Sequence, residues 1–307
     1  MRTRTSLETI GRLIDGELAD PHKLLGPHVV DQEGRRALAV RAFLPETAQA
    51  WVIDDRHEAP RPMRRIHPSG LFEAICPLDE AASKPRYRLQ LADDRGERTM
   101  LHDPYAFPSL LSEYDFHLLN EGKHWQSYRK LGAHLRTVNG VRGVNFAVWA
   151  PNATSVSIVG DFNRWDDRRH PMRKHIPSGF WELFVPELED GTLYKYRVKN
   201  GPFVAEKCDP YGFGAEVPPR TASKVVDLDT YRWNDEAWLA SRAKHNALDA
   251  PMSFYEVHLG SWRRPGDNPS RWLSYRELAD QLVDYVVEMG YTHVELLPVN
   301  EHPFSGS

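Results

Sequence analysis

Apolar and polar positions alternate with period two through much of the chain. Val144, Phe146 and Val148 interleave with Asn145, Ala147 and Trp149; then come Val156 and Ile158, then Trp181, Leu183 and Val185, then Tyr194, Tyr196 and Val198. Short runs of this kind separated by turn residues predict antiparallel strands packed as a β-sandwich. The pattern is duplicated. Lys23-Leu24-Leu25-Gly26-Pro27-His28 returns as Arg129-Lys130-Leu131-Gly132-Ala133-His134, and Ala42-Phe43-Leu44-Pro45 returns as Ala147-Val148-Trp149-Ala150-Pro151. Pro68-Ser69-Gly70-Leu71-Phe72-Glu73 returns as Pro177-Ser178-Gly179-Phe180-Trp181-Glu182, and Asp103-Pro104-Tyr105 as Asp209-Pro210-Tyr211. Four matches in one order, offset by about 106 residues, mark a duplicated domain of ordinary size.

The period changes to helical in three places. Leu7, Ile10, Ile14 and Leu18 outline an amphipathic N-terminal helix. Phe116 and Leu119, extended by Trp125 and Tyr128, suggest a helical connector between the copies, and Glu236 to His245 forms a third candidate. Both flanking helices are expected to pack on the sandwiches. Membrane binding suits them poorly, because their faces are short and not basic.

Past residue 250 the pattern changes again. Phe254-Tyr255-Glu256-Val257-His258 reads as a strand, Gly260 to Pro269 as a loop, and Ser274 with Glu277 as a capping box. Leu278, Leu282, Val286 and Met289 recur at helical spacing, Gly290 suits a left-handed C-terminal position, and His293-Val294-Glu295-Leu296-Leu297 is a second strand. This is a βαβ unit, which requires a sheet covered on both faces. Two strands and one helix do not supply that cover, so apolar surface is expected around Val257 and Leu296.

The expected fold is mainly β: two tandem Ig-like antiparallel β-sandwiches followed by the first βαβ unit of a truncated (β/α)8 barrel. The expected divisions are an N-terminal helix (1–20), a first sandwich (21–115), a connector plus second sandwich (116–230), and a linker with the start of the barrel (231–307).

Composition narrows the chemistry. Asp and Glu number 43 against 39 Lys and Arg, and no basic face is concentrated, which argues against a nucleic-acid partner. No span is long or apolar enough to cross a bilayer, and Glu8, Arg12 and Asp15 interrupt any signal-like start, so the chain is read as cytoplasmic. Cys76 and Cys208 suit neither a zinc site nor a redox motif, and Cys76 aligns with Val185 in an apolar slot. Separate cores would keep the two thiols apart and reduced. The histidines lack metal-ligand spacing, His28 and His134 recur in the repeat as structural residues, and phosphate loops and nucleophile elbows are absent. No metal or cofactor is expected.

Gly160-Asp161-Phe162-Asn163-Arg164-Trp165-Asp166 is the most distinctive stretch of the second copy. Its turn-forming residues leave Trp165 on a loop after a strand. An indole beside polar groups is what a pyranose needs, since its C–H face stacks on aromatic rings. The alternative is that Trp165 plugs its own sandwich. Lys195 and Phe203 are placed as further residues of that face, against ordinary packed or solvated roles. Asn300, Glu301 and His302 follow the second strand of the βαβ unit, the edge where parallel barrels build active sites.

At these residues the chain resembles the 1,4-α-glucan branching enzymes of bacterial glycogen synthesis. The similarity runs through Tyr255-Glu256-Val257-His258-Leu259-Gly260-Ser261-Trp262-Arg263, Tyr275-Arg276-Glu277-Leu278-Ala279 and Gly290 to Phe304. It extends upstream through Asp161-Phe162-Asn163-Arg164-Trp165, Asp209-Pro210-Tyr211 and Asp20-Pro21-His22. The resemblance implies tandem N-terminal modules, the second similar to glycogen-binding modules in which Trp165, Lys195 and Phe203 hold α-glucan. It also implies transfer of a cut α-1,4 chain to a 6-hydroxyl by a retaining two-carboxylate mechanism on a (β/α)8 barrel. The family's carboxylates lie on later barrel strands. Where the family usually continues from Pro303-Phe304 with an acid, this sequence has Ser305-Gly306-Ser307. The expectation is therefore an enzyme by family, inactive as this chain alone, with a non-catalytic glucan-binding protein as the alternative.

Overall fold

The computed structural model describes residues 6–32, 34–54, 59–77 and 87–300. It divides between Asp227 and Leu228 into two compact units. The larger unit is mainly β and holds both copies of the repeat.

Helix α1 (Leu7–Ile14) opens it, with the Ser6 hydroxyl accepting the Thr9 N–H as an N-cap. Strands β1 (Gly26–Gln32), β2 (Arg35–Phe43), β3 (Gln49–Asp54), β4 (Arg61–His67), β5 (Leu71–Pro77), β6 (Tyr87–Ala92) and β7 (Arg98–Leu101) follow. They pair in the order β1-β2-β5-β4-β3-β6-β7, and every pair is antiparallel. A register shift in β4 between Arg65 and His67 lets one end of that strand pair with β5 and the other with β3. Such a bulge bends the strand and redirects the sheet. Leu38, Val40, Phe72, Leu89 and Cys76 fill the space this creates.

Helix α2 (Glu113–Asn120) leads to the second copy: β8 (Gly132–Val138), β9 (Val141–Trp149), β10 (Ser155–Val159), β11 (Arg173–His175), β12 (Phe180–Pro186), β13 (Leu193–Asn200), β14 (Phe203–Lys207), β15 (Gly214–Ala215) and β16 (Ser223–Lys224). One sheet has the order β11-β12-β9-β8; the other is β10-β13-β16-β15, with β14 also on β13. Phe146, Val148 and Trp181 of the first meet Val156, Ile158, Tyr194 and Tyr196 of the second in one buried cluster. Period-two alternation is muted on β9, where Asn145 and Ala147 are buried as well. The reason is a second cover: Leu111 and Phe116, from the connector, pack on Ala147 and Phe180.

Three expectations, one about the cores and two about helices, need correction. The cores of the two copies are continuous, since Leu24, Leu25, Phe43, Leu71 and Tyr105 belong to the same cluster as the second copy's interior. The N-terminal helix joins that cluster through Ile10 and Leu13, while Leu7 is exposed and Leu18 lies beyond the helix end. Its exit is tied to the second copy, with Ser155 Oγ donating to Gly16 O at 2.8 Å and Lys199 Nζ to Asp15 O at 2.9 Å. In the connector Phe116 is buried, but Trp125 and Tyr128 fall outside α2 and are exposed.

The repeat extends to hydrogen bonds. His28 Nε2 donates to Leu25 O and His134 Nε2 to Leu131 O, both at 3.0 Å. Asp103 accepts from Tyr87 OH and Tyr105 N, and Asp209 from Tyr194 OH, Tyr196 OH and Tyr211 N. Both cysteines are free; Cys76 is buried and Cys208 donates through Sγ to Thr221 O.

The second unit contains α3 (Glu236–His245), β17 (Phe254–Val257), α4 (Leu259–Trp262), α5 (Tyr275–Glu288) and β18 (His293–Leu296). Strands β17 and β18 are parallel, with Phe254 opposite His293 and Val257 opposite Leu296. The Ser274–Glu277 capping box starts α5, and Gly290 follows its end at a φ of +76°. Leu278, Leu282 and Val286 are buried, whereas Met289 is exposed. Val257 is covered by α5, so the apolar exposure falls on Val294, Leu296 and Leu297. Among the described residues no helix is long and apolar enough to cross a membrane.

Candidate functional site

The loop after β10 is organised by a buried asparagine. Asn163 is 1% exposed; its Oδ1 accepts the Gly160 N–H at 3.0 Å, and its Nδ2 donates to Ile158 O at 2.8 Å and to His170 Nδ1 at 3.0 Å. These bonds hold two consecutive non-glycine residues in the left-handed region, Arg164 at φ +58° and Trp165 at φ +60°. Each such residue costs on the order of 1 kcal/mol, which the asparagine network offsets. Gly160 has no substitute, because a Cβ there would lie 2.4 Å from Leu193 O.

Trp165 is half-buried and belongs to none of the hydrophobic clusters. Its backbone N–H donates to Gly160 O at 3.0 Å and its indole Nε1 to Asp161 Oδ1 at 2.8 Å. The indole that fills the core is Trp181, fully buried and bonded through Nε1 to Ala150 O. Trp165 is thus a tethered loop side chain, with its ring held and partly open.

Lys195 stands opposite Val159 in the β10–β13 register, one residue from the start of this loop. Its neighbours Tyr194 and Tyr196 point into the core, so alternation sends Lys195 to the other face. Its Nζ donates to Thr221 Oγ1 at 2.8 Å. Phe203 does not join this pair. It lies opposite Asn200, five positions along β13 from Lys195, a distance of about 16 Å at ordinary strand rise. Register also puts Phe203 on the face of Tyr196 and Val198, the opposite face from Lys195, and it is exposed at 53%. Asn300 lies exposed beyond β18. Glu301 and His302 fall outside the described residues.

Sequence reasoning missed the groups that anchor the loop. Glu46, between β2 and β3, accepts from both Arg164 Nη1 and Arg169 Nη2, the latter at 2.8 Å. No local signal links residues so far apart in sequence. Asp166 carries the other side: burial opposes its charge, but two bonds of 2.8 Å from Arg168 hold its carboxyl below the usual range. Burial, reinforced by Arg169, pulls the His170 imidazole down to about 4 and keeps it neutral, so that Nδ1 accepts from Asn163. Among the described residues no group of three His, Cys, Asp or Glu side chains is arranged to hold a metal.

Residues 6–105 match the family model for the alpha-1,4-glucan branching enzyme GlgB N-terminal domain, and residues 130–212 that for carbohydrate-binding module 48, the isoamylase N-terminal domain. Trp165, Lys195 and Phe203 all fall within the second match. The chain is 49% identical over 310 residues to the 1,4-alpha-glucan branching enzyme GlgB of Rhodopirellula baltica, covering 100% of itself and 42% of that protein. The GlgB of Rubrobacter xylanophilus is 50% identical over 302 residues, covering 98% and 40%. Over its whole length the chain is similar to the N-terminal portion of GlgB branching enzymes. It spans about two fifths of the length of these GlgB relatives. Among solved structures, the maltotriose complex of a PulA mutant from Klebsiella pneumoniae aligns with a TM-score of 0.42 and 18% identity over 90% of this chain and 33% of its own.

Proposed function

We propose that the chain is the glucan-holding N-terminal part of a cytoplasmic 1,4-α-glucan branching enzyme of glycogen biosynthesis. In this reading the whole enzyme cuts an α-1,4-linked chain and joins the piece to a 6-hydroxyl, forming an α-1,6 branch with retention. The two β modules are Ig-like sandwiches, and the parallel β17–α5–β18 unit is the start of a (β/α)8 barrel. Asn300, Glu301 and His302 then lie at the barrel's active-site edge.

The observation that carries the reading is Trp165: a half-open indole, fixed by Asp161 and standing at the same end of β10–β13 as Lys195. A sugar ring stacks on such an indole, and an ammonium donates to its hydroxyls. Phe203 is a separate contact at the other end of β13. Similarity to GlgB along the whole chain supports the assignment to branching over a stand-alone glucan-binding protein.

Retention on an immobilised-glycogen column tests the site. Trp165→Ala is expected to shorten retention severalfold, and unchanged retention returns Trp165 to a purely structural role. Branching is tested separately: the 307-residue chain alone is expected to leave the branch content of amylose unchanged, because the family's two carboxylates belong to later barrel strands. A rise in branch linkages would overturn that assignment.

A further inference from the structure

A cleft of about 550 Å³ opens between the two β modules beside the shared core around Tyr105, a volume ordinary for ligand sites. Its first-module wall includes Thr47, Glu97 and Thr99; its second-module wall includes Asp161, Phe162 and Arg164. The cleft is continuous with the Trp165 loop. Asp161 both lines it and holds the Trp165 indole, and Arg164 lines it while reaching across to Glu46. Arg169, another lining residue, pairs through Nη2 with Glu46 at 2.8 Å and lies through Nε 3.7 Å from Asp166 Oδ2.

The lining chemistry selects the occupant. Carboxylates outnumber guanidinium groups there, which disfavours phosphates and other anions. A wholly apolar ligand would desolvate those carboxylates without bonding them. A neutral chain rich in hydroxyls donates to the carboxylates, accepts from arginine, and lays its C–H faces on Phe162 and Leu101.

We infer that the cleft is a second stretch of the glucan site, so that a linear α-1,4-glucan stacked on Trp165 continues past Asp161 and Arg164 between the modules. Glu97 and Thr99 bind hydroxyls of its distal sugars. The first module thereby sets a preference for longer chains. This rests on the glucan reading of Trp165.

Calorimetric titration of the full chain with maltotriose and with maltoheptaose separates the two ideas. The wild type is expected to bind the heptaose more tightly. Thr99→Trp, which fills the cleft from an exposed strand position, and Glu97→Ala, which removes an acceptor, are each expected to weaken heptaose binding roughly fivefold, about one hydrogen bond's worth. Both should leave maltotriose binding unchanged, whereas Trp165→Ala weakens both sugars. Equal wild-type affinities for the two sugars, or cleft variants that keep the wild-type ratio while Trp165→Ala weakens both, overturn the cleft and leave Trp165 standing. If Trp165→Ala changes neither affinity, the cleft inference and the Trp165 reading fall together.

Discussion

The buried carboxylate of Glu182 on β12 accepts the backbone N–H of Leu110 at 2.8 Å, pinning the connector between the modules to the second module's sheet. The same carboxylate accepts from Leu111 N, Ser109 Oγ, Asn145 Nδ2 and His175 Nε2. Burial alone would raise its pKa, but these donors together hold it below the usual range. Its counterpart in the first module, Glu73, is also buried, and bonds Arg41 directly across the strand pair. One position of the repeat keeps a buried acid, and each module answers it differently.

Removing that acid strands several donors. Glu182→Ala is expected to cost about 3–5 kcal/mol, because the Leu110 and Leu111 N–H groups lose their acceptor inside the protein. Glu182→Gln keeps one carbonyl acceptor and should cost about half as much. Urea midpoints check the order; an Ala variant as stable as wild type contradicts it.

The Trp165 loop carries a pH sensitivity through His170. Its folded pKa of about 4 lies below the unfolded value, so the stability it contributes is complete above about pH 6.5 and is lost as pH falls toward 4. The loss reaches about 2 kcal/mol by pH 5. His170→Asn should flatten the fall in urea midpoint over that window. A variant with the wild-type slope excludes His170 as the source.

Asp103 works in the opposite sense. Burial raises its carboxyl to about 6 against the bonds from Tyr87 OH and Tyr105 N, so its stabilisation is complete below about pH 4 and disappears as pH rises through 6. Asp103→Asn should therefore gain on wild type by about 1 kcal/mol between pH 5 and pH 7.5. Parallel stability profiles for the two proteins would rule this out.

Gly26 and Gly132 hold equivalent places in the repeat. Both have positive φ, and a Cβ would lie 2.5 Å from Tyr105 O in the first case and 2.9 Å from Tyr211 O in the second. Gly26→Ala is expected to cost more than about 3 kcal/mol, and Gly132→Ala somewhat less. Gly34, at φ +79° with open space around it, should cost only about 1 kcal/mol on the same change. Thermal melts rank the three, and equal losses would remove the steric argument.

Much of the architecture is legible along the chain because it depends on near neighbours. Alternation of Val144, Phe146 and Val148, the Ser274–Glu277 box and the left-handed Gly290 are each set within a few residues. The duplicated motifs also foretell that His28 and His134 share one role, since both recur beside the carbonyl they bond.

The candidate site was legible only in part. The loop sequence marks Trp165, and strand spacing marks Lys195, but neither encodes the register that sends Phe203 to the far end of β13. Glu46 carries no local mark at all, yet it grips Arg164 and Arg169 on either side of Trp165.

What the sequence by itself determined is therefore the set of elements, their duplication and the family they resemble, because strand period, caps and motifs are properties of adjacent residues. Only the tertiary structure decided that the exit of α1 is tied to the second module, that the connector covers the outer face of β9, and that the two cores merge around Tyr105. Two similar modules offer similar apolar surfaces to the same helix, and the choice between them depends on contacts such as Ser155 with Gly16, made between residues far apart in the chain.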